Sequence, residues 1–168
     1  MSTLNQSLIT EQLNTWLETF VEQPHPGLGG WAPCPYARAA RLNNKLSITF
    51  CTVAEFRDVI RESIDTLASK EAVIICFDHH DIDPVTLQEW VADFNQSLLV
   101  PAGYVVLEDH PDAPEYVSGI KMNFGHCGLL IIQKLDRLNQ AVAQLRTQGY
   151  YDHWDDKALE AMVHWDFE

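Results

Sequence analysis

The chain has 168 residues, 46% of them hydrophobic, and carries 11 Lys and Arg against 24 Asp and Glu, a formal net charge of -13. That balance argues against a nucleic-acid backbone or an anionic membrane as partner, and no apolar run approaches the roughly 20 residues that span a bilayer. The residues from Met1 to Gln12 lack the basic start and apolar stretch of a signal peptide. The cysteines Cys34, Cys51, Cys76 and Cys127 form no C-x-x-C pair, so the expected setting is the reducing cytoplasm.

The size suits one globular domain, residues 1–168. Leu13, Trp16, Leu17, Phe20 and Val21 recur at helical spacing and predict an N-terminal helix within residues 1–22, ended by Pro24. Residues 23–35 hold four prolines and three glycines and read as loop. Cys34-Pro35 then reads as an N-cap and first-turn proline opening a short helix over 35–42. A thiol so placed is favoured as thiolate by the helix dipole. Arg38 and Arg41 share one face of that helix and are candidates to hold an anionic substrate.

Leu46, Ile48 and Phe50 alternate with polar residues and predict a half-buried edge strand. Thr52 to Glu55 has the form of a capping box, and Phe56, Val59, Ile60, Ile64 and Leu67 continue at helical period. Then Val73–Phe77 and Tyr104–Leu107 are unbroken apolar runs, as in strands buried on both faces of a parallel sheet. Between them Asp83-Pro84 opens a helix lined by Leu87, Trp90, Val91, Phe94 and Leu98, with Trp16, Trp90 and Phe94 expected in the core.

This order predicts an α/β domain whose mostly parallel sheet of three to four strands is flanked by helices. After Asp112 comes a loop long enough to be a lid. Leu129–Ile132 is a fourth strand or the start of the helix that runs on through Leu145. Residues 150–168 form an acidic, aromatic tail in which His153 and His164 read as packing or surface residues.

Each organising strand stops at a knot of acids and imidazoles: Asp78, His79, His80 and Asp81, then Glu108, Asp109, His110 and Asp112. Parallel strands would put both knots at the carboxyl edge, where open α/β sheets bind ligands. His110, with His79 or His80 and with His126, offers donors for a transition metal, zinc or iron. Cys34 would add a ligand or nucleophile, and Asp112 would orient His110. The reading is a small metal-dependent enzyme acting on a small anionic molecule. Two alternatives stand beside it. One is a non-catalytic accessory protein that docks on a protein partner through its tail and the loop after Asp112. The other is a metal-free thiol enzyme using Cys34 and His110.

The sequence Cys34-Pro35-Tyr36-Ala37, an apolar strand, Asp93-Phe94-Asn95 and a strand ending in His110-Pro111-Asp112 resembles the bacterial domain-of-unknown-function family 1415. The likeness spans roughly residues 28 to 145. It departs where Asp-His-His-Asp replaces that family's His-Pro after the first strand, and where Asn123-Phe-Gly-His126-Cys127-Gly replaces Asn-Arg-Ser-Pro-Tyr-Pro. The resemblance implies a role for Cys34, His110 and Asp112 and supplies no reaction.

Overall fold

In a computed structural model, which describes residues 4–162, the elements follow the periodicities closely. Helix α1 (Gln6–Trp16), N-capped by the Asn5 side chain, runs into a π-helical turn over Leu17–Val21. Helix α2 covers Ala37–Leu42, two residues later than expected, with Tyr36 rather than Cys34 at its N-cap. Strand β1 is Leu46–Phe50. The capping box forms, with Glu55 Oε1 accepting from both the backbone N–H and the hydroxyl of Thr52 at 2.8 Å, and α3 (Phe56–Thr66) follows. Strand β2 (Ala72–Phe77) is buried at every residue, as an unalternating run requires. The Asp83 side chain caps α4 (Pro84–Phe94), which passes through a π-helical turn over Asn95–Leu99 and reaches β3 (Tyr104–Asp109).

The chain then departs from the expected lid. Tyr116–Val117 (β4) and Ile120–Lys121 (β5) form a small hairpin, turned by Ser118 and Gly119, both at positive φ. Gly128–Lys134 is strand β6, and helices α5 (Leu135–Thr147) and α6 (Asp156–Met162) complete the described chain.

The fold is mixed α/β, and the mostly parallel sheet is corrected. The main sheet has the order β1-β2-β6-β3, in which β1 and β2 are parallel while β6 is antiparallel to both β2 and β3. The cause is the route of residues 110–127. They stay at the edge where β3 ends, because Asn123 donates to Asp109 Oδ1 at 2.8 Å and Phe124 N–H donates to Asp109 Oδ2 at 3.0 Å. With no crossover helix to carry it to the opposite edge, β6 must run backwards. The α4 crossover sets β3 two places from β2, and β6 fills the gap. Gly128 starts it under the Phe77 ring, where an added Cβ would lie 2.2 Å from the ring.

Helices cover both faces. Val73, Ile75, Phe77, Val106, Leu130 and Ile132 pack beneath α3 and α4, and Ile74, Cys76 and Leu129 beneath α1. Phe94 joins the first layer, but Trp90 is 40% exposed rather than core. A third cluster gathers Leu28, Val117 and Ala158 with Trp31 and Trp154.

Candidate functional site

Because β1, β2 and β3 share one direction, their carboxyl ends lie on one edge, and both knots lie there with them. Asp78 ends β2 and caps a single 3₁₀ turn over His79–Asp81. Its Oδ1 accepts the His80 backbone N–H at 3.0 Å and lies 2.8 Å from His80 Nδ1. The His79 and His80 rings lie tilted by 34° to one another with centroids 4.1 Å apart. Asp78, His79 and His80 each bring one donor atom within 4.8 Å of the others, the one such group of three among the described residues. Burial, with the neighbouring His80 and His110, holds the His79 imidazole below its usual range against the opposing pull of Asp112 and Asp78. That favours a ring with a lone pair to donate. The His80 side chain is 76% exposed, so the group opens to solvent.

His110 is placed differently from the expectation. It is 3% exposed and 5.6 Å from His79 between ring centroids. Its Nε2 lies 2.7 Å from the Ile82 carbonyl and 3.1 Å from that of His79, and its Nδ1 accepts the Asp112 N–H at 3.0 Å. Carbonyls only accept, so the ring proton is on Nε2. Both nitrogens are thereby committed to backbone, leaving none for a metal or a thiol. Asp112 meets His110 through its backbone amide and not its carboxylate.

The other sequence-derived residues lie elsewhere. His126 packs on Phe124, centroids 5.1 Å apart, and helps line an open groove of about 370 Å³ along α1 with Trp16, Thr15 and Glu11. Cys34 is exposed as a residue, yet protein crowds its thiol, and desolvation raises its pKa. The Glu22 carboxylate adds to the rise, and the N–H groups of Tyr36 and Ala37 oppose it without prevailing. The helix-end support for a thiolate at Cys34 is therefore outweighed by desolvation. The neighbours of Cys34 are Val21, Glu22 and Tyr150, whereas those of His110 are His79, Ile82 and Asp112. The two sets do not overlap.

Arg41 forms a two-pronged pair with Glu22, at 2.6 and 2.9 Å, and reaches Glu18 at 3.2 Å. Glu22 has only 2% of its side chain exposed, so Arg41 neutralises a carboxylate of its own chain. Arg38 is exposed on α2. The described part of the tail folds back on the body. Tyr150 hydroxyl donates to the Pro33 carbonyl, Ser118 hydroxyl donates to the His153 carbonyl, and Trp31 meets Tyr150 edge-on at 5.6 Å. His164 lies outside the described residues.

Sequence reasoning missed Asn123, which donates to Asp109 and accepts Glu115 N–H at 2.7 Å, closing the loop at this edge. It also missed a crowding of acids. Burial raises the Glu108 and Asp109 carboxyls, and burial together with the charges of those two acids pushes Glu115 up to about 7. The sequence signal was present only as repeated acids around a strand end; which of them face one another depends on the hairpin. Among known proteins, no protein-family model, no curated protein and no solved structure matches this chain.

Proposed function

We propose that the chain binds a divalent transition metal, zinc or iron, through Asp78, His79 and His80, and acts there on a small anionic molecule. What supports the reading is the convergence of two imidazoles and a carboxylate at the carboxyl edge of β2. A donor set of two nitrogens and one oxygen suits zinc and iron, and three protein ligands leave coordination positions open, as a catalytic rather than a structural centre requires. The anionic group of the substrate would meet the metal itself, since Arg41 is committed to Glu22 and Glu18. Metal binding would replace the Asp78–His80 contact, so both side chains must turn slightly toward the ion.

Titration calorimetry of the untagged protein with Zn²⁺ tests this reading, with His79→Ala and His80→Ala beside it. One site of about one ion per chain, lost in both variants, is the expected result. A wild-type protein that takes up no Zn²⁺, or variants that bind as the wild type does, would refute it.

A further inference from the structure

We infer that His110 is the positioning residue of this metal site: its ring ties the turn that carries the ligands to the loop that carries Asp112. The inference rests on the metal reading above and changes what His110 does in it.

The strands that deliver the two knots are not neighbours, because β6 lies between β2 and β3. Something must therefore hold the two loops in register above β6. The His110 ring does so with both nitrogens. Its Nε2–H is shared between the carbonyls of His79 and Ile82, at 3.1 and 2.7 Å, which bracket the 3₁₀ turn of His79–Asp81. Its Nδ1 takes the Asp112 N–H at 3.0 Å. Below, the His110 carbonyl accepts from Asn123 Nδ2 at 3.3 Å, and Asp109 is held by Asn123 and Phe124. The bracket is thus fixed from beneath.

A turn of three residues with adjacent ligands has no helix to set the spacing of its side chains. Its backbone carbonyls are the handles by which the rest of the protein can orient it, and His110 grips both ends. The same ring sets where Asp112 leaves the backbone, and the Asp112 carboxylate acts electrostatically on His79. Groups that orient metal ligands without touching the ion typically change metal affinity by about 10- to 100-fold.

The test is Co²⁺ binding, followed by its visible absorption, in wild type, His110→Leu and His110→Gln. Expected is a loss of affinity of about 10- to 100-fold in His110→Leu, with most of it regained in His110→Gln, whose amide N–H can reach the same carbonyls. A folded His110→Leu that binds Co²⁺ as wild type does would overturn the proposal, as would a His110→Gln no better than His110→Leu. Nitrogen-15 shifts of the imidazole rings in the wild type provide a readout that needs no variant. Zn²⁺ should move those of His79 and His80 and leave His110 with its proton on Nε2; a metal-bound shift at His110 would overturn the proposal. Wild type that binds no metal would overturn the site reading and this inference together, whereas the other adverse outcomes overturn this inference alone.

Discussion

Asn95 gives the sharpest test of the fold. Strand β3 is an edge of the sheet, and edges expose backbone groups that need cover. Asn95, 5% exposed, supplies it by accepting the Val106 N–H at 2.8 Å and donating to the Val106 carbonyl at 3.0 Å. One side-chain amide thus pairs with the strand as a neighbouring backbone would. Asn95→Ala leaves both Val106 groups buried and unpaired, at about 1–3 kcal/mol each, so about 2–6 kcal/mol in all. Against a usual stability of about 5–15 kcal/mol that is a large fraction. It should lower Tm by about 4–24 °C, at roughly 2–4 °C per kcal/mol for a chain of this size. Urea unfolding should show a lower midpoint with an unchanged slope. Asn95→Asp separates the two bonds: it keeps the acceptor for the Val106 N–H but sets a carboxylate oxygen against the carbonyl. At neutral pH its loss should match or exceed that of Asn95→Ala, shrinking as acid protonates the new carboxyl. A cost below about 1 kcal/mol in Asn95→Ala, or a stable Asn95→Asp, would refute the reasoning.

Two further outcomes follow from charges. Arg41→Ala leaves the buried Glu22 carboxylate without its partner and should clearly lower the urea midpoint. Arg38→Ala, on the exposed face of the same helix, should change unfolding by less than about 0.5 kcal/mol; equal costs would show that the Glu22 pairing has been misjudged. The acids at the sheet edge set a pH trend. Glu115 is raised to about 7, so the folded chain binds its proton more readily than the unfolded one, and stability from this group falls as pH rises through 7. Glu108 and Asp109 act in the same direction. Below pH 6.5 the depressed His79 opposes them, because the unfolded chain then takes up the proton that the folded one resists. Thermal unfolding should therefore show Tm rising from pH 8 to 6.5, modestly because Glu115 is exposed at its surface, and Glu115→Gln should flatten the rise. A slope unchanged in that variant would place the effect elsewhere.

Much of this protein was legible one element at a time. The unalternating run of β2 announced a strand covered on both faces; the capping box at Thr52 and the Asp83-Pro84 start announced two helices. Each signal is local, carried by residues within a turn or two. That the two knots share one edge was legible too, since strand direction follows from the crossovers that join β1, β2 and β3. What the periodicities left open was the residue run 128–134, equally apolar as strand or helix, and with it the sheet's direction.

The candidate site divides the same way. Asp78, His79 and His80 are adjacent in the chain, so a single turn brings them together. The proposed partnerships of His110 with His126 and Cys34 needed distant segments to meet, and no local signal fixes which ones do. Only the tertiary structure decided that β6 returns antiparallel, that His126 turns to α1, and that backbone groups take both nitrogens of His110. The physical reason is that a side chain's hydrogen-bonding capacity is finite, and which partner claims it depends on loops whose course the apolar pattern does not record.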